Sequence, residues 1–87
     1  LKPDVIIIDQ KDNVGVALHD IEAGQMVRLP DGESFAALDK IPFSHKVAIT
    51  RIRRGADIVK YGEVIGQAAE DIKPGAWVHV QNLTFEE

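Results

Sequence analysis

One seven-residue frame returns four times within 87 residues, and it constrains the fold more than any other feature of the chain. It reads I-x-x-G-x-x-V at Ile21/Gly24/Val27 and at Ile72/Gly75/Val78. Ile52/Gly55/Ile58 closes on Ile, and Ile41/Ser44/Val47 carries Ser in the glycine slot. An aliphatic residue anchors a turn in the core, two residues reverse the chain, and Gly supplies the positive φ that other residues avoid. A strand then begins. Pro74 presets φ ahead of Gly75, as a type II turn requires. The Ile positions are spaced by 20, 11 and 20 residues, which implies two related halves, each with two copies of one turn-then-strand device. The repeat is too short for a solenoid.

The rest of the chain agrees with short strands and tight turns. Val5 to Ile8 is a β-branched run, Asp9 to Asn13 a polar loop, and Val14 to Leu18 a second strand, so a hairpin is expected. Gly15 marks a bulge or a close backbone approach. Leu29 to Glu33 contains Asp-Gly, a hairpin signal, and Ser34 to Leu38 follows as a short strand. Val47 to Arg51 and Ile58 to Tyr61 read as strands, the latter ending at Gly62. Val64 to Ala69 reads as strand or helical turn. Trp77 to Leu83 alternates and predicts one strand with Trp77, His79, Gln81 and Leu83 on a common face. No segment keeps a helical period, so the expected class is all-β or nearly so. One domain spans 1–87, with an ordered core of about 5–83.

Charge divides the sequence. Lys40 to Lys60 holds six basic residues and one acid, a net of +5; the remainder holds four basic and thirteen acidic residues, a net of −9. A basic segment in an acidic chain is a place to seek an anionic ligand, while the overall acidity argues against nucleic acid. There is no cysteine, so disulfides and thiolate metal sites are excluded, and a cytoplasmic setting fits. No apolar run is long enough for a membrane span, and no signal peptide is recognisable.

Histidine titrates near neutrality and ligates metals, so the three histidines come first among candidates. His19, beside Asp20, reads as an exposed turn residue. His45 lies in the basic window between Ser44 and Lys46, where a surface histidine and a functional one both fit. His79 shares its expected face with Trp77 and Gln81. Lys60-Tyr61 fits a carboxylate clamp or a surface lysine beside a packed tyrosine. Arg53-Arg54 fits solvated charge or an acid-binding pair. No self-contained catalytic motif is present.

Several stretches together carry a resemblance. N-V-G-V-A-L (Asn13 to Leu18), D-I-x-A-G (Asp20 to Gly24), I-P-x-x-H-K-V-A (Ile41 to Ala48), V-K-Y-G-x-x-I-G (Val59 to Gly66) and D-I-K-P-G-x-W-V-H-V-x-N (Asp71 to Asn82) resemble the SAF domain of the altronate/galactarate dehydratase family. The likeness runs from Val5 to Leu83 and implies a β-clip fold. It implies the N-terminal domain or small subunit of a sugar-acid dehydratase whose larger part carries most of the active site. The small subunit of sulfolactate sulfo-lyase, which eliminates sulfite, is a relative. Two departures stand out: Ser44 where the family writes Gly, and Gln81 where it writes a second His.

The resemblance implies a hydro-lyase part acting on a hexonate or hexarate. His45 and His79 are then the acid/base or metal-facing residues. Lys46, Lys60, Gln81 and Asn82 orient substrate oxygens. A divalent cation, iron or manganese, is held mostly by the larger partner. The partners implied are that large subunit or C-terminal catalytic domain and the sugar acid itself; a homo-oligomer stays open, and an exposed Trp77 would invite an interface. The contrasting expectation is a non-catalytic SAF-type binding or assembly module.

Overall fold

In a computed structural model the described residues are 2–85, and all regular structure among them is β. The nine strands are β1 Val5–Ile6, β2 Val14–Ala17, β3 Met26–Arg28, β4 Ser34–Ala36, β5 Lys46–Ala48, β6 Asp57–Lys60, β7 Glu63–Ala68, β8 Trp77–Val78 and β9 Leu83–Thr84. A central antiparallel sheet has the order β1-β2-β5-β8. The hairpin β3-β4 and the sheet β6-β7-β9 lie outside it. No helix among these residues is long and apolar enough to cross a membrane.

The repeated frame organises this arrangement. Ile21 bridges Ile41, and Ile52 bridges Ile72, each through two backbone hydrogen bonds of 2.7–2.9 Å. All four isoleucines are buried. The four turns are equivalent. Gln25 N–H donates to Glu22 O, His45 to Pro42 O, Ala56 to Arg53 O and Ala76 to Lys73 O. The third residue of each has positive φ: 86° at Gly24, 67° at Ser44, 84° at Gly55 and 92° at Gly75. Ser44 therefore holds the backbone its glycine counterparts hold. Strain at a non-glycine residue there costs about 1 kcal/mol or more. Ser44→Gly is expected to raise stability by about 1 kcal/mol, read as a higher urea midpoint at unchanged m.

Strand alternation sends the two half-cores to opposite faces of the central sheet. Val5, Ala17 and Val47 join Ile21, Val27, Ala37 and Ile41 on one side. Val14, Ala48 and Val78 join Ile52, Ile58, Ala68, Ile72 and Leu83 on the other. With few aromatics, aliphatic burial carries both clusters. A chain this small buries only about 60–65% of its unfolded surface, so each cluster matters.

Two open alternatives are resolved and one expectation needs revision. Gly15 marks a close approach, not a bulge: it pairs regularly with Val47, and a Cβ there would meet Val5 Cβ at 3.0 Å. The register shift falls at Ile58/Val59, opposite β7, which is a strand and not a helical turn. Trp77 to Leu83 is not one strand. β8 ends at Val78, and the chain turns before β9. Asn82 causes the turn: its Oδ1 accepts from His79 N at 3.0 Å, while its own N–H donates to His79 O at 3.1 Å. Local Asn hydrogen bonding outcompetes the extended backbone that alternation suggests.

Candidate functional site

The sheet brings His45 and His79 together. His45 leads into β5 and His79 follows β8, and these neighbouring strands pair Lys46 with Val78 and Val47 with Trp77. The imidazole centroids are 5.2 Å apart. Trp77 completes the group. Its indole stacks on His79 at 4.9 Å with 13° between planes, and it lies 5.8 Å from His45. Trp77 Nε1–H donates to His45 Nδ1 at 3.1 Å. All three rings are half-buried, so the expected exposed Trp77 is instead packed against the cluster containing Val47. Phe43, two residues before His45, and Val80, directly after His79, are well exposed, at 61% and 68%.

Trp77 is fixed from several directions. Its N–H donates to Asp39 Oδ2 at 2.9 Å. Its carbonyl accepts from Gln81 Nε2 at 3.0 Å and from Asn82 Nδ2 at 2.9 Å. Asn82 is buried, and both ends of its amide are engaged in the turn. Gln81 is exposed and keeps its Oε1 for other partners. Sequence reading named His45, His79, Gln81 and Asn82 but missed Trp77 as their hub, and missed Asp39. The W-V-H spacing was the available signal for Trp77; Asp39, distant in sequence, left none.

The lysines form a second grouping. Alternation along β5 turns Lys46 to the face opposite His45. Burial, and then the charge of Lys60, push the Lys46 ammonium below its ordinary value. Lys60 lies over the Tyr61 ring at 5.4 Å, within cation–π reach. Elsewhere in the basic window, Lys40 meets Glu22 at 3.9 Å and Arg51 meets Asp71 at 3.4 Å, both as exposed pairs. Arg54 N–H donates to Asp71 Oδ1, so the arginine turn is tied down through its backbone.

His19 is a local clamp. Nε2 bonds Asp4 Oδ1 at 2.8 Å and Nδ1 faces Asp20 O at 2.9 Å. The Asp20 carbonyl and then the Asp4 carboxylate raise its pKa.

Asp12 and Asn13 tie the loop between β1 and β2 to the β6–β7 hairpin. Asp12 Oδ2 accepts from Ile8 N and Asp9 N, and Oδ1 accepts from Gly62 N at 2.8 Å. Asn13 Oδ1 accepts from Val59 N, and its Nδ2 donates to Asp57 O, both at 2.8 Å. This holds the two-residue Tyr61-Gly62 turn, where both φ angles are positive, as a type I′ hairpin demands. Burial would raise the Asp12 pKa, but the amides of Gly62, Asp9, Ile8 and Tyr61 together hold it below the ordinary carboxylate value. A depressed carboxyl stabilises the fold above its unfolded pKa, near 3.8, and that contribution is lost as pH falls through the lower folded value. The Asp12 contribution to the urea midpoint is thus expected to hold from pH 7 to 5 and to be lost below pH 4, while the raised His19 pKa adds stability as pH falls from 7. Asp12→Asn should lower the neutral-pH midpoint and flatten the acid limb.

A divalent cation finds no complete ligand set here. Among the described residues no three His, Asp or Glu side chains converge. The Nδ1 of His45 is already occupied by an indole proton. The pair does not fit a metal as its own site.

These features define a class: a small all-β, clip-like domain with paired histidines on one open face. The family model described as the altronate/galactarate dehydratase SAF domain matches residues 3–86, so the chain belongs to that family. It is 42% identical over 77 residues to an altronate dehydratase of Bacillus subtilis, a match covering 88% of this chain and 15% of that protein. It is 37% identical over 82 residues to the galactarate dehydratase (L-threo-forming) of Escherichia coli, covering 94% of this chain and 15% of that protein. It is also 35% identical over 86 residues to the (2R)-sulfolactate sulfo-lyase subunit alpha of Chromohalobacter salexigens, covering 92% of each chain. The chain thus spans about 15% of the length of the dehydratases it matches.

Proposed function

We propose that this domain is an accessory part of a carbon–oxygen lyase acting on a sugar acid, and that it lends His45 and His79 to an active site built mainly on a larger portion of the enzyme. The observation that carries this reading is the His45–Trp77–His79 group: two imidazoles held side by side on an open face. The similarity to altronate and galactarate dehydratases supports the substrate class. The exposed Phe43 and Val80 beside the histidines supply apolar surface for the larger portion to cover.

The reaction is a β-elimination. The C–H bond α to the carboxylate breaks, a C=C bond forms, and the β-hydroxyl leaves as water after taking a proton. The enol product then becomes the keto-deoxy acid. A divalent cation, iron or manganese, would be held by the larger portion and would there supply charge stabilisation for an enolate-like species. His79 has no hydrogen-bond partner on either ring nitrogen among the described residues, which suits it to move a proton. Gln81 Oε1 is available to a substrate hydroxyl. Lys46 and Lys60, on the face opposite His45, contribute only long-range positive potential toward an anionic substrate.

The test is reconstitution. This chain and the catalytic portion of a family dehydratase are supplied separately and together, with ferrous iron or manganese. Altronate, galactarate and sulfolactate are offered in parallel. Turnover only in the mixture supports the assignment and identifies the substrate. Turnover of sulfolactate alone selects the sulfo-lyase reading, which the 35% identity to a sulfo-lyase alpha subunit favours as the second possibility. Failure to associate, with no turnover of any substrate, points to a non-catalytic binding module.

A further inference from the structure

We propose that Trp77 is a positioning residue that fixes His45 as its Nε2–H tautomer, so that His45 meets a ligand oxygen as a hydrogen-bond donor and does not ligate a divalent cation. The indole nitrogen is a donor only. Its bond to His45 Nδ1 at 3.1 Å therefore requires a lone pair on Nδ1. In the neutral ring the proton then sits on Nε2.

A cation at Nε2 would need that proton removed to Nδ1, where two N–H groups would confront each other. A cation at Nδ1 would have to displace the indole. Neither escape is easy, because the indole does not swing freely. The ring itself stacks on His79 and packs against the cluster containing Val47, while Asp39, Gln81 and Asn82 fix only the Trp77 backbone that carries it.

The functional consequence deepens the lyase reading and rests on it; the tautomer itself does not. Full proton transfer from a neutral imidazole would leave an imidazolate. His45 is therefore a fixed donor to a carboxylate or enolate oxygen, the way a neutral imidazole polarises a carbonyl. His79 remains the group that moves a proton.

The test needs no substrate. Long-range proton–nitrogen NMR correlations on the histidine-labelled chain are expected to show His45 with an unprotonated Nδ1 and a protonated Nε2. Zinc added alone should leave the His45 resonances in place. Trp77→Phe keeps an aromatic ring beside His79 and removes the indole donor. It should give His45 a mixture of tautomers and tighten zinc binding at His45 about tenfold, the scale of one hydrogen bond. An Nδ1–H tautomer in the unsubstituted chain, or zinc binding His45 equally in both chains, would overturn the proposal. The unsubstituted spectrum decides even if the variant fails to fold, and it is independent of whether any sugar acid is turned over.

Discussion

His79→Ala in the assembled enzyme is expected to lower kcat by about 10²–10⁴-fold, the range for losing a general acid or base. His45→Ala should lower it by about 10²–10³-fold, the range for losing one donor to a developing oxyanion. KM should change little in either variant if both groups act mainly in the transition state. The two rings are 5.2 Å apart and share the Trp77 indole, so their losses should not add. Steady-state kinetics of the single and double variants check this. Undiminished turnover in both single variants would remove the histidines from the chemistry.

Gly75→Ala is expected to lower stability by about 2–6 kcal/mol. Two causes combine there. The φ of 92° strains any side-chain-bearing residue, and an added Cβ would run into the backbone carbonyl of Ala36, with Leu38 N at 3.2 Å. The same change at Gly24 or Gly55 meets nothing within 4 Å and carries the φ cost alone, about 1 kcal/mol. For a domain whose whole stability is about 5–10 kcal/mol, Gly75→Ala approaches unfolding, whereas the other two variants remain folded. Urea unfolding of the three variants measures the contrast. Equal losses at all three would mean that Gly75 does not sit against the β4 backbone as described.

The fold was legible because its organising device is local. Four frames of seven residues announce four turns, and the bridges Ile21–Ile41 and Ile52–Ile72 show why the frames come in pairs. Ser44 was the one irregular copy, and its φ of 67° shows that the turn tolerates it unchanged in kind. The site was less legible. His45 and His79 are 34 positions apart in the chain and meet only because β5 pairs with β8, so no spacing rule brings them together. The resemblance supplied them. Trp77 looked like surface because its strand alternates. Its packing depends on Asp39, Gln81 and Asn82 hydrogen-bonding its backbone. Asp12 and Asn13 passed for a polar loop, yet they grip residues 57–62 through side-chain bonds spanning 44 to 50 positions. Such long-range side-chain-to-backbone bonds leave no period in a sequence.

On the proposed function, the face bearing His45, Trp77 and His79 completes an active site on the larger portion of the enzyme. Amide and indole NMR shifts of this labelled chain, recorded as the catalytic portion is added, decide whether it does. The Trp77 indole, the imidazoles of His45 and His79, and the amides of Phe43 and Val80 are expected to shift together at stoichiometric addition, while the amides of the exposed turn residues Asp31 to Glu33 stay in place. Shifts confined to residues 31–33 or elsewhere away from this face, with these rings unmoved, would contradict it.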